Sequence, residues 1–219
     1  MTDDAAQLRR YAQEGSEQAF AEVVARHLPM VYSAALRQVG GDEQLAKDVA
    51  QTVFVALARN AASLHRREMI TGWLYTTTRY IAAKTVRGDL RRRTREQAAA
   101  AMQELYSQPS AEADWSDVGP VLDEAMARLS RTDRNAVLLR FFEGKDLKMV
   151  GAALGISEDA ARMRVNRALE SLRGLLRQHG VVVSTTALRI ALGSEAVGAV
   201  PAGLAASITG TALASTAAS

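Results

Sequence analysis

The sequence predicts an all-α protein made of two small helical domains joined by a flexible linker. First, the composition favours helices, because Ala, Leu and Arg are prominent and runs of β-branched residues are scarce. Second, apolar residues recur at helical spacing through two long stretches of the 219-residue chain. Third, these stretches are separated at residues 103–120 by an acidic segment with two prolines, which lacks helical periodicity and is predicted to be the linker.

Residues 1–102 form the first predicted domain. Breaks in the apolar pattern divide it into a short helix, two longer helices and a final long helix that begins near Gly72. Ser16 and Asp42 are placed to cap the second and third helices. Pro29 lies inside the second helical pattern, so it predicts either a kink or a helix start near that point.

The second predicted domain covers residues 121–179 and contains a helix-turn-helix pattern. Two apolar helical stretches flank a sharp turn at Gly155, which can adopt the positive φ that such a corner requires. Ser157 is expected to cap the helix that follows. The pattern predicts a four-helix domain that resembles a winged helix without its wing.

The helix after Gly155 carries a polar and cationic face. Arginine can bond guanine edges or phosphates, and asparagine can pair with adenine, so this face is suited to DNA. The alternative is an ordinary solvated face, which most surface arginines form. The candidate DNA contacts are Ser157, Arg162, Arg164, Asn166 and Arg167.

The long helix that begins near Gly72 carries a second group of cations with nearby aromatic residues. Such a stripe attracts phosphates, and the aromatic rings can receive unstacked bases. Trp73 is expected to pack in the core instead. The candidate contacts on this helix are Arg79, Tyr80, Lys84, Arg87 and Arg91.

The third helix presents a different polar face. Asp48, Gln51 and Thr52 are short and carry no positive charge, so this face suits a protein partner better than DNA. Its opposite, apolar face is expected to pack in the core.

The sequence predicts no cofactor, no metal site and no enzymatic activity. The chain has no cysteine, and its three histidines lie far apart, so neither disulfides nor a ligand cluster is expected. No carboxylate pair, nucleophile with a neighbouring base, or phosphate-binding glycine loop is present. The N-terminal segment is polar and acidic, unlike a secretory signal. The net charge is only +3, but the arginines are clustered, which indicates a nucleic-acid partner.

Residues 180–219 form an extension rich in Ala, Gly, Ser and Thr. Its apolar runs are interrupted well before the roughly 20 residues of a membrane span, so no membrane partner is expected. We expect a flexible or weakly helical segment, in preference to a segment that docks on the rest of the chain.

Three blocks together resemble the bacterial RNA polymerase sigma factors. The blocks are "DEQLAKDVAQTVFVALARN", "GWLYTTTRYIAAKTVRGDLRRRTRE" and "LSRTDRNAVLLRFFEGKDLKMVGAALGISEDAARMRVNRALESLR". Their order and separation resemble the extracytoplasmic-function (ECF) group, which keeps conserved regions 2 and 4 joined by a linker. The resemblance covers roughly residues 19–177.

The resemblance implies a sigma factor of the cytoplasm that binds core RNA polymerase and directs promoter-specific initiation. Residues 1–102 would be the region 2 domain and residues 121–179 the region 4 domain. Asp48, Gln51 and Thr52 would contact the clamp helices of the largest catalytic subunit. The loop before Gly72, with Arg66 and Arg67, and the long helix after it would capture the melted minus-ten element. The helix after Gly155 would read the minus-thirty-five element, and an anti-sigma factor is a possible further partner.

Three departures from the family pattern bear on the polymerase and phosphate contacts and not on the fold, and one alternative function is also left open. Thr52 and Met149 stand where the family commonly has Glu, and Ala160 stands where it often has Thr. The alternative is a helix-turn-helix regulator whose first domain senses or dimerises and has no role in the polymerase.

Overall fold

A computed structural model describes residues 3–64, 69–99, 115–194 and 200–217, and every regular element in these ranges is helical. In chain order the first four helices are α1 (Asp3–Glu14), α2 (Glu17–Gln38), α3 (Glu43–Leu64) and α4 (Thr71–Ala99). The next are α5 (Trp115–Arg128), α6 (Arg131–Val137), a π-helical turn (Leu138–Phe142), α7 (Leu147–Leu154) and α8 (Glu158–Gln178). The last two are α9 (Thr185–Ser194) and α10 (Leu204–Ala217). The predicted all-α class is confirmed.

Helices α1–α4 pack into the first helical unit. Both predicted caps are confirmed, since Ser16 Oγ accepts from the Ala19 N–H at 3.3 Å and Asp42 Oδ1 accepts from the Leu45 N–H at 2.9 Å. Helix α2 continues through Pro29, so no helix begins there. The core of this unit is apolar, and its fully buried side chains include Phe20, Leu28, Phe54, Leu57 and Leu74.

Helices α5–α8 form the second unit, and the helix-turn-helix is confirmed. Gly155 ends α7 in the left-handed conformation with φ of 66°, and Ser157 Oγ then accepts from the Ala160 N–H at 3.2 Å. A side chain at Gly151 would place its Cβ 2.8 Å from the Ile156 carbonyl oxygen. The corner therefore requires glycine at that position to bring α7 close to the start of α8.

The two units are in direct contact. Helix α5 packs against α2 as well as α8, and α4 touches α6 and the π-helical turn. Helix α5 begins at Trp115, inside the stretch predicted as linker. Residues 100–114, which include most of that stretch, lie outside the described residues.

The described part of the extension after residue 179 forms two helices that pack on the rest of the chain, contrary to the prediction. Helix α9 packs against α8 and the π-helical turn, whereas α10 packs against α3 and α2 of the first unit. Ile208 and Ala212 of α10 are fully buried, and the Tyr11 and Thr216 hydroxyls are 3.2 Å apart. The prediction of a flexible or weakly helical segment is therefore wrong for the described part, because small residues allow α10 to lie close against its neighbours. None of the helices in the described ranges is long and apolar enough to cross a membrane.

Candidate functional site

Helix α8 brings the predicted arginines to the surface of the helix-turn-helix. The Arg162 side chain is 55% exposed and pairs along the helix with Glu158 at 3.2 Å. Arg164 and Arg167 lie next to each other and both reach Asp133 Oδ1, at 3.3 and 3.2 Å. Ser157 is occupied as the N-cap. The predicted contacts thus share one region of the helix, but their charges are already paired within the chain.

Asp133 lies at the start of α6 and is the common partner of two predicted DNA-binding arginines. Burial would raise the pKa of its carboxyl, but a hydrogen bond from Ser130 and the charges of Arg167 and Arg164 lower the pKa overall. The carboxylate is therefore ionised at neutral pH. It accepts hydrogen bonds from the two guanidinium groups, as a phosphate of DNA would.

Asn166 has a partner that the sequence did not indicate. Arg189 of α9 donates a hydrogen bond to Asn166 Oδ1 at 2.6 Å. One turn further along α8, Thr185 donates to Glu170 at 2.8 Å. A shallow cavity of about 460 Å³ lies here, and its lining includes Arg162, Asn166 and Arg189. Helix α9 therefore occupies one flank of the candidate reading helix.

Helix α4 presents an exposed stripe. Tyr80 is 67% exposed, and Lys84 and Arg87 are exposed at helical spacing from it, so the three side chains share one face. Arg79 is partly buried, and its Nε has no hydrogen-bond partner among the described residues. Trp73 is only partly buried and packs against the core. Arg66 and Arg67 lie outside the described residues, as does the side chain of Arg91.

The polar face of α3 remains accessible. Asp48 and Thr52 are exposed and Gln51 is partly exposed. Gln44 donates to Asp48 Oδ1 at 3.3 Å, and the Thr52 hydroxyl donates to the Asp48 carbonyl oxygen at 2.8 Å. Helix α10 packs on α3 without burying these side chains.

A buried polar cluster joins the two units. Asp123 of α5 is fully buried and accepts two hydrogen bonds from Arg37 of α2, at 3.2 and 3.3 Å. It also accepts the hydroxyl of Tyr75 from α4. The Arg37 guanidinium lies 5.7 Å from the Phe142 ring centre, and Tyr75 meets that ring edge-on at 6.3 Å. We call these four residues the Asp123 joint.

The protonation states of the Asp123 joint follow from burial and charge. Burial and the negative charge of Asp123 raise the pKa of Tyr75 well above its usual value, so its hydroxyl stays a donor. Burial would lower the pKa of Arg37, but the charge of Asp123 raises it overall. Sequence reasoning missed this cluster, because Asp123 lies 86 residues from Arg37 and 48 from Tyr75.

A second polar group also lies at the contact between the units, where His27 Nδ1 is 3.9 Å from Glu143. Buried His27 is 3.0 Å from Asp4 Oδ2, and Arg26 also bonds that carboxylate. Burial would raise the pKa of Asp4, but His27 and Arg26 outweigh it and lower the pKa to about 2. The Thr71 hydroxyl donates to Glu143, which connects α4 to the second unit.

A helix-turn-helix with a cationic second helix, joined to a helical unit with its own cationic stripe, defines a DNA-binding protein of transcription. Residues 23–96 match the family Sigma-70 region 2, and residues 125–174 match Sigma-70, region 4. The RNA polymerase sigma factor CarQ of Myxococcus xanthus is 34% identical over 165 residues, which cover 74% of this chain and 92% of CarQ. The chain therefore belongs to the RNA polymerase sigma factors, and it is of the extracytoplasmic-function type.

The chain is also similar to a second sigma factor and to two solved structures. The probable RNA polymerase sigma factor RfaY of Xanthomonas campestris pv. campestris is 28% identical over 77% of this chain, which spans 43% of RfaY. A solved structure of CnrH in complex with the cytosolic domain of CnrY covers 81% of this chain and 99% of CnrH, at 24% identity and a TM-score of 0.39. A solved structure of the sigma factor RpoE in complex with the anti-sigma factor NepR, from Bartonella quintana, covers 77% of this chain and 98% of the matched chain. The sequence identity is 21% and the TM-score is 0.32.

The family assignment fixes the general function. The protein is a sigma factor that binds core RNA polymerase and promoter DNA and directs transcription initiation. The alternative of a helix-turn-helix regulator with no polymerase role is not favoured, because the first unit matches sigma region 2.

Proposed function

We propose that the two units divide promoter recognition between the exposed faces of α8, α4 and α3. The region 2 unit, residues 1–102, binds core polymerase and the melted minus-ten element. The region 4 unit, which begins with α5 at Trp115, reads the duplex minus-thirty-five element, and the chain between α4 and α5 links the two. The protein acts in the cytoplasm and catalyses no reaction of its own.

The observation that carries this proposal is the grouping of arginines and Asn166 on α8 directly behind the helix-turn-helix corner. In this motif the second helix enters the major groove and its first turns contact base edges. Arg162 and Arg164 lie in those turns, and their present acidic partners are exchangeable for phosphate or guanine because the pairs are at least partly exposed. Farther along, Leu169, Leu172 and Leu176 are buried, so the reading portion of α8 ends near Arg167.

The exposed stripe of α4 is suited to single-stranded DNA. Lys84 and Arg87 supply charge for the phosphates, and the exposed Tyr80 ring offers a surface on which an unstacked base can lie. Such stacking is worth about 1–3 kcal/mol per base, which offsets much of the cost of opening the duplex.

The accessible polar face of α3 is suited to a protein surface. Asp48 is an exposed carboxylate with one amide partner, so a basic or amide-rich helix can approach it. We assign Asp48, Gln51 and Thr52 to the contact with the clamp helices of core polymerase.

The reading role of α8 is tested by Arg162→Ala combined with Arg164→Ala. We expect binding to a duplex carrying the minus-thirty-five element to fall at least tenfold, since each good base contact is worth about 1–3 kcal/mol. The salt dependence of binding should also become shallower, with its log–log slope reduced by about 2 if both arginines contact phosphates. Transcription by the reconstituted holoenzyme from a promoter that depends on this element should fall in parallel.

The matched control is Arg177→Ala, which removes an exposed arginine from the last turn of the same helix. We expect it to change binding and transcription less than twofold. Equal losses in the control and the double variant would contradict the assignment of the first turns of α8 to base reading.

The polymerase contact is tested by Asp48→Ala combined with Gln51→Ala. We expect weaker binding to core polymerase with an unchanged helical circular dichroism spectrum, because both side chains lie at the surface. Ser63→Ala, at the exposed end of the same helix, is the control. Unchanged affinity of the double variant for core polymerase would refute the assignment of this face.

A further inference from the structure

The extension contacts both units of the sigma factor at once. Helix α9 lies against α8 and the π-helical turn of the second unit, and α10 lies against α2 and α3 of the first. The chain between Ser194 and Leu204 can extend to at most about 35 Å, so a separation of the two units that exceeds this reach must detach α9 or α10. While both helices stay docked, the extension therefore limits how far the two units can separate.

Helix α9 occupies a group that the proposed function needs. Asparagine pairs with adenine through both its carbonyl oxygen and its amide nitrogen. Asn166 Oδ1 is already bonded to Arg189 at 2.6 Å, so Arg189 fills one acceptor position of Asn166 and competes with an adenine for it. The bond from Thr185 to Glu170 holds the start of α9 against α8 in the same way.

Helix α10 supplies the anchor on the other unit. Ile208 and Ala212 are completely removed from solvent, and Leu204 and Leu213 also pack against the core. The bond between the Tyr11 and Thr216 hydroxyls at 3.2 Å adds a contact near the end of the helix. Burial of apolar side chains stabilises this docking without any charge, so it should persist at high salt.

In this closed arrangement the two units lie too close together to reach both promoter elements. The two promoter elements are named for positions about 25 base pairs apart, which corresponds to about 85 Å along B-form DNA. A compact chain of this length has a radius of gyration of about 17 Å. Here the units touch through the Asp123 joint, where Arg37 and Tyr75 of one unit bond Asp123 of the other. The units must therefore separate before both elements can be bound.

We propose that α9 and α10 form an autoinhibitory strap, which holds the two units closed and competes with promoter DNA for α8. The proposal rests on the assignment of α8 as the reading helix. Release of the strap opens the protein and frees Asn166. Core polymerase and a promoter together supply the surfaces that replace the strap contacts.

The first test is Arg189→Ala in the full chain. Removal of a cation ordinarily weakens DNA binding. We expect the opposite here, a rise of about threefold to tenfold in affinity for a duplex carrying the minus-thirty-five element, because one hydrogen bond to Asn166 no longer competes. Fluorescence anisotropy at fixed salt measures this, with Arg177→Ala as the control that loses a cation from α8 itself.

The second test measures the distance between the units. The chain has no cysteine, so Arg59→Cys on α3 and Arg177→Cys on α8 give two unique, exposed labelling sites. Energy transfer between dyes at these sites should report a short distance in the full chain. Ile208→Asp places a charge in the buried docking face of α10, and we expect it to lengthen and broaden that distance. If this variant loses its helical circular dichroism, Ile208→Ala is used in its place, and the same increase in distance is expected.

The outcomes separate the strap from the reading role. The strap is refuted if Arg189→Ala binds no better than Arg177→Ala, or if the folded Ile208 variant keeps the short distance. If the Arg162 and Arg164 double variant binds DNA normally, the reading role fails, whereas the distance measurement still judges closure. If the double variant loses DNA binding but Arg189→Ala gains none, the strap is refuted and the reading role of α8 stands.

Discussion

Asp123 and Asp133 make similar bonds in different surroundings. Both carboxylates accept from side chains of other segments: Asp123 from Arg37 and Tyr75, and Asp133 from Arg164 and Arg167 in addition to its neighbour Ser130. Asp123 is fully buried, whereas the Asp133 side chain is 17% exposed and its partner Arg167 is 64% exposed. A buried ion has no substitute partner when its own is lost, but an exposed ion can exchange its partner for water or phosphate. The first cluster therefore joins two units, and the second is the one that we propose DNA displaces.

The largest effect is expected from Asp123→Ala. The change leaves the Arg37 guanidinium and the Tyr75 hydroxyl buried without their partner, so the free energy of unfolding should fall by about 3 kcal/mol. Urea denaturation followed by circular dichroism measures the loss. Glu124→Ala removes the exposed neighbouring carboxylate, which pairs with Arg128 along its own helix, and should cost less than about 0.5 kcal/mol. Similar losses in both variants would contradict the contrast.

The next effect is a pH dependence from Asp4, a third carboxylate and a largely buried one. Its pKa in the folded protein is about 2, below the value of 3.8 for the free group. Its contribution is therefore fully present above pH 3.8 and is lost as the pH falls toward 2. The difference corresponds to about 2 kcal/mol. The free energy of unfolding measured between pH 5 and pH 2 should fall less steeply in Asp4→Asn, and an identical slope in the variant would contradict this role.

A smaller effect is expected from Tyr75→Phe. The variant keeps the ring against Phe142 and removes only the hydroxyl bond to Asp123, so the free energy of unfolding should fall by about 1 kcal/mol. Tyr80→Phe alters an exposed hydroxyl on the same helix and serves as the control. A stability change in Tyr80→Phe as large as in Tyr75→Phe would show that burial is not the deciding factor.

The smallest change in stability is expected from Asp133→Asn. Asparagine keeps the backbone N–H that bonds Ser130 Oγ at 3.1 Å, and the lost ion pairs are partly exposed, so the cost should stay below about 1 kcal/mol. Affinity for duplex DNA should instead rise about twofold to fivefold, because Arg164 and Arg167 lose their competing carboxylate. Weaker DNA binding by Asp133→Asn would mean that Asp133 orients the arginines and does not compete for them.

Features set by short stretches of chain could be predicted well. Ser16, Asp42 and Ser157 cap helices as expected, and Gly155 takes the left-handed turn. These results depend on residues three or four positions apart, where backbone geometry alone fixes the contact. The exposed arginines of α8 were also predicted, since the apolar spacing of that helix shows which faces remain outside.

The sequence by itself determined most helices of the two units, their caps, the helix-turn-helix and the charge on its surface, but neither the start of α5 nor the docked helices α9 and α10. Only the tertiary structure decided which of those charges are already paired, since Arg164 meets Asp133 across 31 residues and Arg189 meets Asn166 across 23. The tertiary structure also decided that α10 docks on α2 and α3. There the hydroxyls of Tyr11 and Thr216 bond each other, although the two residues are separated by 205 positions in the sequence. Helical periodicity and capping are local and carry no information about distant partners. Such contacts form only when the folded units bring separate segments together, and burial then decides which of them can be exchanged.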